Sequence, residues 1–187
     1  NIILGSAQFD GKYGIANSQK LKNKNIDQIL NIADEIGINQ IDTAYAYKGV
    51  HDKIIKSSYG KKFNIISKGS LNFYKNNSFI KEFNETSKKF NPNKLRYFLI
   101  HNFSEYNKNF YKFDKIIKNN KFLKKKLGIS IYSPDELKEI NEKIFRIIQI
   151  PFNLCDMRWK NIKFKNKIII RSIFLQGIFF CNDNEIP

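Results

Sequence analysis

Residues 25–42 read NIDQILNIADEIGINQID, and this stretch contains a helical pattern, a stop signal and a short apolar run. Apolar side chains recur every three or four residues, which predicts an amphipathic helix: Ile26, Ile29, Leu30, Ala33 and Ile36. Asn25 is placed to cap the start of this helix, and Gly37 is placed to end it. The run INQID at 38–42 then predicts a buried strand. A helix that leads directly into a strand is the building unit of an α/β fold.

Six further apolar runs, rich in Ile and Phe, predict strands at 2–5, 63–67, 97–101, 127–131, 146–150 and 167–173. Their continuous apolarity is typical of parallel strands that are covered on both faces. Helical patterns lie between them at 79–83 and 110–117, and Ser133 followed by Pro134 predicts a further helix start. This repeated alternation favours either an open doubly wound sheet or a (β/α)8 barrel.

The segment after the first predicted strand favours the barrel. Residues 4–14, LGSAQFDGKYG, do not match the G-x-G-x-x-G turn that a doubly wound dinucleotide-binding fold places there. A typical barrel needs roughly 250 residues, whereas this chain has 187 and begins without a methionine. We therefore expect one barrel domain over residues 1–187, truncated at both ends, with about seven strands and without the eighth strand and the final helix.

Composition narrows the function class only in part. The net charge of +16 raises RNA or acidic glycans as alternative partners, but the lysines are scattered, so we expect no specific nucleic-acid binding. No apolar run approaches the roughly 18 to 20 residues that span a bilayer, so we expect no membrane insertion. Cys155 and Cys181 show neither disulfide nor zinc-ligand spacing, which favours a reduced, cytoplasmic setting without a metal site.

Ionisable side chains end three consecutive predicted strands. These are Asp42, Lys68 and His101, and Tyr47 follows the first of them. Each alone has a structural explanation, such as a turn cap, a solvated lysine or a core histidine. Because the carboxyl ends of barrel strands line one rim, four such residues together indicate an active site.

The chemistry of these residue types is proton transfer to oxygen. A phenol titrates near pH 10 in its ordinary state, and a nearby ammonium favours the phenolate and lowers the pKa of the phenol. A carboxylate can hold that ammonium in place, and an imidazole can hydrogen-bond the substrate oxygen. No activated Ser or Cys nucleophile is evident in the sequence, so hydride transfer from a bound cofactor fits these residues.

The same residues carry a family resemblance. In order and spacing, four short motifs resemble the aldo/keto reductase family of NADP-dependent reductases on a (β/α)8 barrel: DTAYAY at 42–47, ISK at 66–68, LIHN at 99–102 and GIS at 128–130. The opening LGSAQFDGKYGIAN at 4–17 and RSIFLQGIF at 171–179 resemble bacterial members often linked to sugar and surface-polysaccharide metabolism. The resemblance covers almost the whole chain.

The resemblance implies roles for individual positions. The catalytic set would be Asp42, Tyr47, Lys68 and His101, with Tyr47 as general acid. The NADP(H)-binding set would be Gly5, Ser6, Asp42, Ser130, Gln149 and Ser172, with no metal. Two positions depart from the family pattern, because Ile131 stands where an Asn is expected and Arg171 stands near the place of an aromatic residue.

Three functions stay open at this point. The first is an enzyme that reduces a small aldehyde or ketone to an alcohol, or catalyses the reverse oxidation. The second is a non-catalytic, truncated remnant of the same fold, and the third is a basic binding module. The substrate, the preference for NADP over NAD and the oligomeric state are not encoded in these motifs. His51, in the first turn of the next predicted helix, is expected to be exposed and outside the site.

Overall fold

The computed structural model describes residues 1–11, 13–14, 21–71 and 78–180. The strands are β1 (Leu4–Gly5), β2 (Gln40–Asp42), β3 (Asn64–Gly69), β4 (Leu95–Ile100), β5 (Leu127–Ser130), β6 (Ile147–Pro151) and β7 (Lys167–Arg171). The α-helices are α1 (Asn23–Glu35), α2 (Val50–Lys56), α3 (Ser78–Phe90), α4 (Phe103–Asn119), α5 (Lys121–Lys124) and α6 (Pro134–Glu139). Short 3₁₀ segments occur at Ala7–Asp10, Gly60–Lys62, Glu142–Ile144 and Leu175–Phe180.

The strands of the described residues form one sheet whose order follows the chain from β1 to β7. Pairing is parallel between β1 and β2, β2 and β3, β4 and β5, β5 and β6, and β6 and β7. A strictly sequential order excludes the doubly wound alternative, in which the strand order reverses at a switch point. The described residues therefore have the topology of a (β/α)8 barrel with seven of its strands, which confirms the predicted fold class.

All seven predicted strands are present, and their bounds differ from the prediction by no more than two residues. Every residue of β5 and β6 is buried, which explains why these strands are apolar throughout instead of alternating. The strand β7 differs, because Ile169 at its centre is its one buried residue.

The helix ends follow local hydrogen bonding. The predicted cap Asn25 is wrong, because α1 begins at Asn23 and the Oδ1 atom of Asn25 accepts from the backbone N of Lys22 at 3.2 Å. Gly37 ends the helix as predicted, with φ +80°, a conformation that favours glycine. Ser133 caps α6 as predicted, since its Oγ accepts from the backbone N of Glu136 at 3.4 Å.

The chain divides into two compact units. The first unit comprises Asn1–Ser67, Asn84–Arg96 and Leu175–Pro187, and the second comprises Lys68–Phe83 and Tyr97–Phe174. The core of the first unit is mainly aliphatic, with fully buried Ile26, Leu30, Ile41, Val50 and Ile54. The core of the second unit is rich in aromatic rings, with centroid distances of 5.5 Å for Phe83–Phe98, 5.9 Å for Tyr106–Phe113 and 5.5 Å for Tyr106–Phe145.

Candidate active site

The carboxyl ends of β1 and β2 lie side by side in the first unit. Gly5 is the register partner of Asp42, the last residue of β2. Ser6 is fully buried and donates to the carbonyl oxygen of Asp42 from its backbone N at 2.9 Å and from its Oγ at 3.0 Å. Gly5 is exposed, and a Cβ added to it would meet nothing within 4 Å. Residues 5–6 are therefore held firmly by Asp42 while the backbone at Gly5 stays accessible.

Tyr47 lies in the turn that connects β2 to α2, also in the first unit. Its backbone N donates to the carbonyl of Ala44 at 3.1 Å, and its own carbonyl accepts from the backbone N of Val50 at 3.3 Å. Two residues earlier, the hydroxyl of Tyr45 donates to the carboxylate of Glu85. The half-buried side chain of Tyr47 is thus carried on a turn whose backbone is hydrogen-bonded on both sides.

Lys68 and His101 belong to the second unit. Lys68 lies in β3, and only 2% of its surface is exposed. His101 directly follows β4, is half-buried, and donates from its backbone N to the carbonyl of Gly69 at 3.0 Å. Gly69 has no room for a side chain, because an added Cβ would lie 2.7 Å from the ring of Phe98 and 2.8 Å from the carboxylate of Glu82. This close approach fixes the backbone next to Lys68.

The loop after Lys68 is held by two acidic side chains of the second unit. Glu82 of α3 accepts from the backbone N of Ser70 at 2.8 Å. Glu105 of α4 accepts from the backbone N of Leu71 at 2.6 Å, and its two oxygens lie 3.0 and 3.1 Å from the Oγ of Ser70, which donates to them. We call this set the carboxylate clamp. All of these donors are satisfied inside the unit, so the clamp fixes the chain that follows Lys68.

Ser130 and Gln149 are register partners at the carboxyl ends of β5 and β6 in the second unit. Ser130 is 1% exposed and Gln149 is fully buried. Neither the amide nitrogen nor the amide oxygen of Gln149 has a hydrogen-bond partner among the described residues. Burying an amide without partners costs roughly 1–3 kcal/mol, so a hydrogen-bond partner from outside the described residues would stabilise this side chain. Ile131, at the position where the resemblance expects an Asn, is fully buried and only its backbone N reaches Gln149, at 2.9 Å from the carbonyl oxygen.

Ser172 follows β7 in a left-handed conformation, with φ +61°. Its carbonyl accepts from the Nδ2 atom of Asn153 at 3.2 Å, and its Oγ accepts from the Nη1 atom of Arg171 at 3.3 Å. A non-glycine residue in this region of backbone space is uncommon and needs support from its surroundings. The bonds to Asn153 and Arg171 provide that support.

His51 corrects the sequence analysis, because it is buried instead of exposed. In the first unit its Nε2 atom lies 3.3 Å from the Oγ of Ser67, and its ring packs edge-on against Phe90 with a centroid distance of 4.9 Å. The pKa of His51 is lowered to about 4, mainly by burial and also by the nearby ammonium of Lys89, while Asp52 acts in the opposite direction. His51 is therefore a neutral packing residue at physiological pH.

The carboxylate clamp has no signal in the sequence that would identify it. Glu105 is 35 residues from Ser70, so no local spacing connects them. The sole local feature is that Glu105 lies in the first turn of a helix, where acids are common for electrostatic reasons.

The described residues lack both a metal-ligand cluster and a membrane-spanning helix. They contain no group of three or more His, Cys, Asp or Glu side chains arranged to hold a metal ion. Cys155 is a free, exposed thiol, and Cys181 lies outside the described residues. Within the same part of the chain, no helix combines the length and apolarity needed to cross a membrane.

Comparison with known proteins gives a family and a set of similar folds. The model of the aldo/keto reductase family matches residues 1–178. A structure from Pseudomonas aeruginosa, named as an aldo-keto reductase, is 16% identical over 90% of this chain and 70% of that chain, with a TM-score of 0.66. An aldo/keto reductase from Klebsiella pneumoniae, solved with NADP and acetate, is 13% identical over 94% of this chain and 65% of that one, with a TM-score of 0.64. A search of curated proteins found no significant match.

Proposed function

The chain belongs to the aldo/keto reductase family, and from this premise we propose that it reduces an aldehyde or ketone to an alcohol, or catalyses the reverse oxidation. The family consists of NAD(P)H-dependent oxidoreductases, and NADP is bound in the similar structure from Klebsiella pneumoniae. The observation that carries the proposal is the buried amide of Gln149, which lacks hydrogen-bond partners among the described residues.

The residues of this chain fit a nicotinamide cofactor. A carboxamide group offers one acceptor and two donors, which complement the amide oxygen and nitrogen of Gln149. Ser130, its register partner, would bind the same carboxamide, while Ile131 cannot supply the side-chain contact of the family's Asn. We propose that Gly5, Ser6, Asp42 and Ser172 complete the cofactor-binding set. The bound cofactor would supply the hydride that is transferred to the carbonyl carbon.

The catalytic roles proposed for the chain's own residues rest on the sequence resemblance. Tyr47 donates a proton to the carbonyl oxygen as hydride reaches the carbon, so that one hydride and one proton give the alcohol. Lys68 assists the departure of that proton with its positive charge, and Asp42 orients Lys68. His101 donates a hydrogen bond to the substrate oxygen. The fixed backbone around Gly69 supports these roles, because rigid placement is what proton transfer requires.

The proposal also covers the class of substrate and the cellular compartment. The motifs at 4–17 and 171–179 resemble bacterial members linked to sugar metabolism, so sugar-derived aldehydes are the first class to test. A reduced, cytoplasmic setting is consistent with the free thiol of Cys155.

The experiment that tests the proposal replaces Tyr47. In Tyr47→Phe the rate of NADPH-dependent aldehyde reduction should fall about 10²- to 10⁴-fold, because the general acid is gone. The affinity for NADP⁺, measured by quenching of Trp159 fluorescence, should stay unchanged.

Tyr45→Phe is the matched control, since it removes the same hydroxyl from an exposed ring two residues away. It should retain most of the activity. Full activity in Tyr47→Phe on the best aldehyde would show that Tyr47 is not the acid.

A further inference from the structure

Arg171 ends β7 in the second unit, in a setting that uses only part of its hydrogen-bonding capacity. The guanidinium lies over the ring of Tyr132, 3.9 Å from the ring centroid. Its Nη1 atom donates to the Oγ of Ser172 at 3.3 Å. The ring and this hydrogen bond fix the plane of the guanidinium.

The opposite edge of the same guanidinium has no acceptor in the part of the chain that the structure describes. The Nε and Nη2 atoms of Arg171 are buried and have no hydrogen-bond partner among the described residues. Nε and Nη2 form one edge of the guanidinium plane, and two parallel N–H groups on one edge match the two oxygens of a carboxylate or a phosphate. Burying these donors without an acceptor is costly.

A neighbouring arginine shows what the same edge does when an acid is available. Arg158 donates from Nε to one oxygen of Asp156 at 2.8 Å and from Nη2 to the other at 2.8 Å. Its Nη2 also reaches the carbonyl of Tyr132 at 3.1 Å. Two arginines therefore contact Tyr132, and only Arg158 has a carboxylate on its Nε–Nη2 edge among the described residues.

The strand register places Arg171 on the face of the sheet that carries the candidate amide. Gln149 pairs with Ile169, and Arg171 follows Ile169 by two residues. Because alternate residues of a strand share a face, Gln149 and Arg171 lie on the same face of the β6–β7 pair. Ser130, the register partner of Gln149, extends this face to β5.

We propose that Arg171 is an anion-binding residue of this site and takes a carboxylate or a phosphate of the ligand on its Nε–Nη2 edge. The inference rests on the proposed function, since it assigns the anion to the molecules bound there. The phosphate source is the cofactor, and the carboxylate source is an acidic carbonyl substrate. Arg171 would select for negative charge, whereas an aromatic side chain at its place would offer only a stacking surface.

The test uses Arg171→Met and Arg171→Lys, with Arg158→Met as the matched control that loses the same charge from a guanidinium already bound to Asp156. The first arm measures the dissociation constant of NADP⁺ by fluorescence of Trp159. The second arm measures kcat/KM at saturating NADPH for succinic semialdehyde and for butanal, which differ by one terminal carboxylate. The third arm titrates succinate and inorganic phosphate directly by calorimetry, independently of turnover.

Loss of a bidentate, charge-assisted pair should cost about 10- to 100-fold in one of the first two arms. A weaker NADP⁺ complex with an unchanged acidic-to-neutral ratio supports the cofactor phosphate as the source. A fall in that ratio with unchanged NADP⁺ binding supports a substrate carboxylate. Arg171→Lys keeps the positive charge but should lose most of the anion binding, because an ammonium cannot present two parallel donors. If Arg171→Met does not fold, Arg171→Lys tests the inference in its place.

Unchanged values in both of these arms for the Arg171 variants, or equal losses in Arg158→Met, would overturn the inference. Failure of the wild-type protein to bind NADP⁺ and to reduce butanal would instead overturn the proposed function. The calorimetric arm then tests the inference by itself. Binding of succinate or phosphate that is lost in Arg171→Met supports the inference. Absence of such binding in the wild type overturns it.

Discussion

Two polar regions of the second unit are built in opposite ways. In the carboxylate clamp, the backbone N atoms of Ser70 and Leu71 and the hydroxyl of Ser70 all donate to carboxylates of the chain itself. At the carboxyl ends of β6 and β7, the amide of Gln149 and one edge of Arg171 are buried without partners among the described residues.

The difference separates structural from ligand-directed polar groups. A buried network that is satisfied internally fixes one conformation, and removing a member destabilises the fold. A buried group without a partner costs free energy in the ligand-free protein, and a ligand that supplies the partner recovers it. By this criterion the clamp holds the chain after Lys68, whereas we propose that Gln149 and Arg171 are placed for a ligand.

The cluster around His51 extends the comparison to the first unit, where we expect the largest effect on stability. Burial favours the neutral form of His51, whose pKa is about 4 in the folded protein, against about 6.5 in an unfolded chain. Between these values the unfolded state binds more protons than the folded state. Stability is therefore unaffected by His51 above about pH 6.5 and falls as the pH decreases toward about 4, by about 3 kcal/mol in total.

Urea unfolding of the wild type and of His51→Leu at about pH 7.5 and about pH 5 checks this expectation. The wild type should lose about 2 kcal/mol more than the variant over this interval. Subtracting the variant removes the contribution of the other titrating groups. Equal pH dependence in both proteins would show that His51 is not buried as a neutral group.

The clamp itself gives the second prediction. In Glu105→Gln the side chain keeps its shape but loses its charge, so the bonds to Leu71 and Ser70 weaken and the protein should lose about 1.5 kcal/mol of stability. Glu139→Gln is the control, since Glu139 accepts from the Nδ2 atom of Asn107 on the exposed surface. The control should change stability by less than about 0.5 kcal/mol. Equal shifts of the urea midpoint in the two variants would show that the carboxylate clamp does not contribute specially to stability.

The sequence predicts the strands well because burial on both faces leaves an uninterrupted apolar run, as in the run from Leu127 to Ile131. It also predicts Gly37 and Ser133, because these caps depend on residues within one turn of helix. The sequence does not predict the burial of His51, since an adjacent Asp and Lys make its helix turn look polar. What buries His51 is contact with Phe90 and Ser67, which are distant in the chain.

In the candidate site, too, the sequence predicts local positions but not contacts between residues that are distant in the chain. The strand-end positions of Asp42, Lys68 and His101 follow from the strand predictions, so the sequence yields them directly. The partners of a side chain in space do not follow in this way. The unpartnered edge of Arg171 becomes visible only when Asp156 is seen to bind Arg158 instead.

Gln149 gives the smallest expected change in stability and the most direct test of the comparison. In Gln149→Leu an apolar side chain of similar volume replaces a buried amide without partners, so the ligand-free protein should become more stable by about 1 kcal/mol. The affinity for NADP⁺ should fall at the same time, because the proposed carboxamide contact is lost.

Gln28→Leu is the control, since it makes the same change on the exposed face of α1. It should leave the affinity unchanged and shift the stability by less than about 0.5 kcal/mol. Urea midpoints without NADP⁺ and fluorescence titrations with it measure both quantities. A substitution that raises stability and lowers ligand affinity is expected only where a buried polar group is kept for a ligand. A loss of stability in Gln149→Leu would mean that the amide is satisfied within the protein, and the two regions would then no longer differ in kind.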